Sequence, residues 1–242
     1  MATVKEHYKE VLSDVYSWMF GGFDAGIQRN SEFIDRYRLT PKGSGIAVDL
    51  GAGCGFQSIP LAEAEYSVTS IDLDADLLQE LKANSGTLDI TTAQADLIDF
   101  DGIIKNKDIE LIVCMTDTIA HLESKEKVAS LFAKAFKALA SGGQFMLSFR
   151  DLTQELKGLD RFIPVRSDDK IIFTCFLEYE VETVKVHDII YKKTAEGWKL
   201  FKSFYRKLRL SEDWVKDQLS QSGFEKMDST VDNGLITIVA EK

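Results

Sequence analysis

The sequence predicts an α/β fold of the doubly wound type, a mostly parallel sheet with helices on both faces, carrying an antiparallel β insertion after the fifth strand. Three observations predict it. Short apolar runs alternate with helical patterns between Ile46 and Phe149, three glycines crowd into the turn after the first run, and the periodicity changes from helical to alternating beyond Arg150.

Taken in order, residues 4 to 38 hold two helical patterns. The first has Tyr8, Val11, Leu12, Val15 and Met19 at helical spacing, the second centres on Ile27, Phe33, Ile34 and Tyr37, and Gly21 and Gly22 separate them. Pro41, Gly43 and Gly45 end this region before the run Ile46 to Leu50, which has the character of a buried parallel strand. A helix near Phe56 to Glu65, a strand Val68 to Ile71, a helix from Asp74 to Ala83 with Asp74 as N-cap, and strands Asp89 to Ala93 and Ile109 to Cys114 continue the alternation. Val128, Leu131, Phe132, Ala135, Phe136 and Leu139 then share one helical stripe, which Gly142 and Gly143 are expected to stop before a fifth strand, Gln144 to Phe149. Further on, Ile171, Phe173, Cys175, Leu177 and Tyr179 alternate onto one face, and Trp198, Leu200 and Phe204 onto another. With turns at Glu182-Thr183 and Ala195-Glu196-Gly197, this region reads as a meander. Ser211 caps a helix through Trp214, Val215 and Leu219 that Gly223 ends, and Leu235 to Ala240 is the last strand.

A chain of 242 residues with 45% hydrophobic content buries one substantial core. The expected division is a core of residues 1–150 and 210–242, its N-terminal helices forming a lid, and an insertion of residues 151–209. A formal charge of −10 opposes a phosphate backbone, so nucleic acid is a poor partner. No apolar run approaches the roughly 20 residues a bilayer span needs, and the first residues lack a signal-peptide pattern, so a cytoplasmic protein is expected. Cys54, Cys114 and Cys175 form no CxxC pair, and His7, His121 and His187 are dispersed, so neither a disulfide framework nor a metal centre is expected. The sequence does not specify an oligomeric state.

The chemistry concentrates at strand ends. Val48-Asp49-Leu50-Gly51-Ala52-Gly53-Cys54-Gly55-Phe56 places a GxGxG turn between a strand and a helix, where glycine supplies positive φ and lets a ligand lie against the backbone. The dinucleotide fingerprint GxGxxG would need glycine at Phe56. Asp72 ends the second strand beside this turn, where a carboxylate accepts both hydroxyls of a ribose or caps a helix. Asp96, after the third strand, is placed for an adenine amine or is an ordinary loop acid. His121 follows the fourth strand as a general base or as a polar residue at a helix start. Arg150 closes the fifth strand, as a clamp for an acidic substrate or in a salt bridge to Asp151 or another acid.

This order of features resembles the class I S-adenosylmethionine-dependent methyltransferases over about residues 46 to 150 and 211 to 242, through AVDLGAGCG, SIDLD, ADL and IVCMTDTIAHL. The resemblance implies a seven-stranded Rossmann-like sheet and S-adenosylmethionine as methyl donor, with S-adenosylhomocysteine as product. It places Asp49 and the turn Gly51, Ala52, Gly53 and Gly55 near the methionine part, Asp72 and Leu73 at the ribose, Asp96 and Leu97 at the adenine, and Cys114 and Met115 at the same edge. The stretch Cys114 to Leu122 is similar to that of small-molecule N-methyltransferases acting on glycine and on aminosugars, although Asp117 stands where the glycine enzymes have asparagine. Asp14 to Met19 resembles the aromatic lid of such enzymes, with the Tyr16 hydroxyl and the Trp18 ring toward the sulfonium or, alternatively, packed into the core.

The implied reaction is an in-line methyl transfer to a small soluble acceptor, an amine before a carboxylate or hydroxyl compound, with His121 and Asp117 keeping the amine unprotonated. A donor-binding scaffold or sensor without catalysis is the alternative of a different kind. Residues 158 to 209 are expected to form an acceptor lid contributing little to donor binding, with Glu178, Tyr179, His187, Tyr205 and Arg206 as candidates to line the acceptor pocket.

Overall fold

The computed structural model describes residues 4–104 and 108–242 and contains two sheets. The first has seven strands in the order β10-β11-β5-β4-β1-β2-β3. These are β1 Ile46–Leu50, β2 Ser67–Asp72, β3 Ile90–Gln94, β4 Ile109–Cys114, β5 Leu139–Arg150, β10 Lys226–Asp232 and β11 Leu235–Glu241. Adjacent pairs among β1 to β5 are parallel, while β11 runs antiparallel to both β5 and β10. The strand order reverses between β1 and β4, and in open α/β sheets that reversal opens a crevice at the carboxyl ends of the strands. Val48, Leu50, Ile112 and Phe145 pack toward α7 Lys125–Ala138, and Ala47, Leu111, Val113 and Met146 toward α3 Phe23–Tyr37 and α4 Ser58–Glu63. Two-sided burial is why these strands read as near-continuous apolar runs.

The second sheet is an antiparallel meander of β6 Phe162–Ser167, β7 Ile171–Tyr179, β8 Thr183–Thr194 and β9 Gly197–Leu208. Its inner face carries Phe173, Leu177, Val184, Val186, Ile190 and Tyr205, buried against Val11, Leu12 and Val15 of the N-terminal segment. Its outer face carries a row of rings, Phe162, Phe176, His187 and Phe204, one from each strand. Contacts of β9 with the turn after β4 set this sheet over the carboxyl edge of the first.

Several local expectations change. The N-terminal pattern is not one helix but α1 Val4–His7, a π-turn Tyr8–Leu12, a 3₁₀ turn Ser13–Val15 and α2 Tyr16–Met19. Gly142 and Gly143 do not stop the long helix, which ends at Ala138 and passes directly into β5. They lie instead at an irregularity of the β4–β5 register, where a Cβ on Gly143 would come within 3.0 Å of the Ala140 and Ile109 carbonyl oxygens. β6 and β10 are edge strands that the sequence does not announce, because Pro164 interrupts one and the other exposes most of its side chains. The caps Asp74 and Ser211 and the left-handed Gly223 stand as expected, on α5 Ala75–Asn84 and α8 Glu212–Ser222. No helix among the described residues is long and apolar enough to cross a membrane.

Candidate active site

The loop after β1 is folded back onto β2: the Gly51 and Ala52 amides both donate to the Ile71 carbonyl, at 2.8 and 3.0 Å. Gly51 and Gly55 are required by packing as well as by positive φ, because a Cβ would collide with Thr118 at the first and with Leu81 of α5 at the second. Gly53 is different. Its φ is +52°, and a Cβ there would fill space 3.6 Å from the Tyr16 ring, on the open side of the loop.

Asp72 ends β2 and is tied to this loop. Its two carboxylate oxygens accept the Gly53 amide and the Asp74 amide, each at 2.8 Å. Burial raises its pKa above the ordinary carboxylate value, against the lowering effect of those amides. A carboxylate offers about four acceptor directions, so capacity remains for hydroxyl donors. Asp72, Leu73, Gly51 and Gly53 line one end of a cleft, and Ile71, Ala95 and Leu97 add an apolar slot beside them. A carboxylate with acceptor capacity to spare beside an apolar slot suits a nucleoside.

The opposite wall comes from the turn after β4 and from the N-terminal segment. Thr116 and Asp117 have consecutive positive φ values of 58° and 68°, unusual for non-glycine residues and especially for a β-branched one. The turn is held open by named contacts. Ser148 Oγ accepts the Thr116 amide at 2.7 Å and Ser148 O accepts the Asp117 amide at 2.9 Å. The Asp117 carboxylate accepts the Arg150 amide at 2.7 Å, Arg150 Nη1 at 2.6 Å and Lys207 Nζ at 2.9 Å. This strained turn presents Thr116, Thr118 and His121 to the cleft, facing Tyr8 and Tyr16.

His121 stacks on Tyr205 at 5.0 Å between ring centroids and meets Tyr8 edge-on at 6.0 Å. Its Nδ1 is buried without a hydrogen-bond partner. Burial, with smaller contributions from Lys207 and His7, pushes its pKa down to about 3, Asp117 opposing. The imidazole is therefore neutral at physiological pH and a weak base. Tyr16 stacks on Phe56 at 6.1 Å and packs on Phe20 at 5.2 Å, and burial raises both its phenol and that of Tyr8.

The structure thus gathers Gly51, Gly53, Asp72, Leu73, Leu97, His121 and Tyr16 around one cleft. Other expected residues stand elsewhere. Asp49 is 1% exposed and sits behind the loop, accepting the Ser58 hydroxyl at 2.6 Å, while Ala52, Gly55, Cys114 and Met115 are core. Asp96 uses one oxygen to cap the turn at Leu97–Asp99. Trp18 donates from Nε1 to Asp168 and lies under Arg166, turned to the insertion rather than to the cleft. Asp117 is not a base: its buried carboxylate, paired with Lys207 and Arg150, is held well below the usual range. Arg150 is that ion-pair partner, taking the salt-bridge alternative to a substrate clamp. Of the meander residues, Tyr205 faces inward to His121, but His187 and Arg206 point to the outer face, bound to Glu178 and Glu180. Tyr179 lies at the inner rim, its hydroxyl accepting the Leu156 amide and its ring under Arg209. Strand alternation separates them, because Tyr205 and Arg206 are neighbours in β9.

Tyr8, Thr116, Thr118 and Lys207 are site residues that sequence reading missed. Only the Thr-Asp-Thr run after an apolar strand hinted at the turn.

Residues 47–143 match the family model described as Methyltransferase domain. A glycine/sarcosine N-methyltransferase of Parasynechococcus marenigrum (strain WH8102) is 24% identical over 160 residues, 64% of this chain and 54% of that protein. Among solved structures, the CcbJ methyltransferase of Streptomyces caelestis superposes with a TM-score of 0.77 at 16% identity, covering 96% of each chain. The amino pentose methyltransferase CalS10 of Micromonospora echinaspora gives 0.75 at 14%, covering 94% of this chain and 95% of its own. These likenesses are to the fold.

Proposed function

We propose that this chain is an S-adenosylmethionine-dependent methyltransferase that transfers the methyl group to the nitrogen of a small amine; the match of residues 47–143 to a methyltransferase domain and the likeness in fold to the S-adenosylmethionine-bound CalS10 support the donor. The donor supplies an already activated methyl on a sulfonium. The residues present fit it: Asp72 for the ribose hydroxyls, the slot of Ile71, Ala95 and Leu97 for the base, and Gly53, which leaves the loop backbone open beneath the Tyr16 ring. Asp49 supports the turn from behind rather than touching the donor.

The observation that carries the choice of nitrogen over a hydroxyl oxygen is the weakness of the bases around the cleft; over a carboxylate, which needs no base either, the choice rests on the similarity to N-methyltransferases. His121 has its pKa pushed down to about 3, and Asp117 is locked between two cations. A hydroxyl acceptor must lose a proton as it attacks, which calls for a base with a pKa near the working pH. A neutral amine brings its own lone pair. His121 then orients an amine N–H through a neutral ring nitrogen, Tyr8, Tyr16 and Tyr205 exclude water around it, and the methylated ammonium releases its proton to solvent. The similarity to a glycine/sarcosine N-methyltransferase and to an amino pentose methyltransferase supports an amine acceptor.

The test is methyl transfer from labelled S-adenosylmethionine to a panel of small amines, carboxylates and phenols, with pH–rate profiles for wild type and His121→Asn. Turnover of amines, with one limb that follows the acceptor's own pKa in both proteins and a lower kcat in the variant, is expected. Preferential methylation of phenols, or a limb near pH 6–7 lost in the variant, would overturn the reading. Donor binding without turnover on any acceptor would favour a sensor.

A further inference from the structure

The roof of the donor cleft is attached both to the core it covers, where Tyr16 and Phe20 pack on Phe56, and to the inserted sheet. On the cleft side, Tyr8 and Tyr16 look onto the glycine loop, and the segment is tied to α5 by two serine hydroxyls, Ser13 to Asp74 at 2.7 Å and Ser17 to Glu80 at 2.5 Å. On the other side Val11, Leu12 and Val15 are buried in the inner face of the meander. There His7, fully buried, donates from Nε2 to Asp188 Oδ2 at 2.8 Å, and Cys175 donates to the other oxygen of the same carboxylate at 3.0 Å. Tyr205 lies between the two imidazoles, 4.6 Å from His7 and 5.0 Å from His121.

The pair is a poor device for stability. His7 Nδ1 is buried with no partner, and a buried polar pair is commonly replaceable by apolar side chains without loss. What it does specify is register: one placement of the N-terminal segment on β8, and with it one placement of Tyr205 against His121.

We propose that His7 and Asp188 are positioning residues that latch the donor roof to the inserted sheet, so that the two open and close as one body and closure over the donor also sets the acceptor side. This rests on the donor assignment above. Roof opening then breaks the serine hydrogen bonds to Asp74 and Glu80 and the packing of Tyr16 and Phe20 on Phe56, and leaves the His7–Asp188 pair intact. On this proposal the insertion affects donor binding, where the sequence leads one to expect that it contributes little.

The experiment measures release of S-adenosylhomocysteine by stopped-flow from wild type, His7→Gln, Asp188→Asn and the double variant, together with kcat and acceptor KM. Each single variant should release the ligand about tenfold faster or more, the double variant no faster than the singles, and kcat should fall with it. A merely structural role would lower Tm but leave the release rate of the folded enzyme unchanged. Release within about twofold of wild type, or fully additive effects, would overturn the latch. Hydrogen exchange on the wild type keeps the proposal testable if the variants fold poorly. Ligand should protect residues 8–19 and 184–190 together, and protection of the first alone would overturn it. Absence of any binding heat with S-adenosylhomocysteine would instead refute the donor assignment.

Discussion

Replacing Asp72 probes the joint between the glycine loop and the donor. Its carboxylate holds two backbone amides at 2.8 Å, those of Gly53 and Asp74, and has capacity left for two hydroxyls of a ribose. Asp72→Ala removes both functions. Hydrogen bonds to a charged acceptor contribute about 1.5–3 kcal/mol each, but the donor regains water contacts and the cleft is open, so a net loss of about 1–3 kcal/mol in donor affinity is expected. That is about a 5- to 150-fold rise in Kd. The two freed amides add about 1–3 kcal/mol of destabilisation, so Tm must be read without ligand alongside calorimetry with S-adenosylhomocysteine. Asp72→Asn keeps one acceptor oxygen and should fall between. The pH dependence gives a second reading. Because burial raises the Asp72 pKa, its carboxyl takes up a proton at a higher pH than an exposed one, and donor affinity should weaken on acidification before ordinary carboxylates titrate. A folded Asp72→Ala protein with unchanged Kd would show that the carboxylate only shapes the loop.

Asp117→Asn leaves Lys207 and Arg150 without their shared carboxylate. The loss is discounted because Arg150 is half exposed, giving about 2–4 kcal/mol of destabilisation by chemical denaturation, while a change under about 1 kcal/mol would show that Ser148 alone holds the strained turn. For Asp49, burial pushes the carboxyl up to about 7, so the folded state binds this proton more tightly than the unfolded chain and is stabilised fully below the unfolded value of 3.8; that contribution is lost as pH rises through about 7. Asp49→Asn, which keeps an acceptor for Ser58, should flatten the fall in Tm between about pH 5 and 8, and parallel wild-type and variant curves would contradict it.

Much of the sheet and part of the site were legible because their signals are local. Apolar runs, caps and a GxGxG turn each arise from steric or hydrogen-bonding demands on adjacent residues, so β1, β2, β4, the cap at Asp74 and the placement of Asp72 follow from the chain itself. The edge strands were not legible, since an edge tolerates Pro164 and polar faces alike. The opposite wall of the cleft was legible only in name. His121 and Tyr16 line the cleft, but the environment that makes His121 a weak base is assembled from Lys207, Tyr205 and His7, which lie 86, 84 and 114 positions away in sequence. Asp117 shows the same limit in reverse: a carboxylate after a strand reads as a base until two cations from other strands are seen to close on it. Strand parity decides the rest. Tyr205 and Arg206 differ by one position and end on opposite faces, so a choice of acceptor residues made without the register of β8 and β9 must include some that face away. The chemistry of this site is thus set by which distant groups desolvate a histidine and neutralise an aspartate, and those are properties of the inserted sheet as much as of the parallel core.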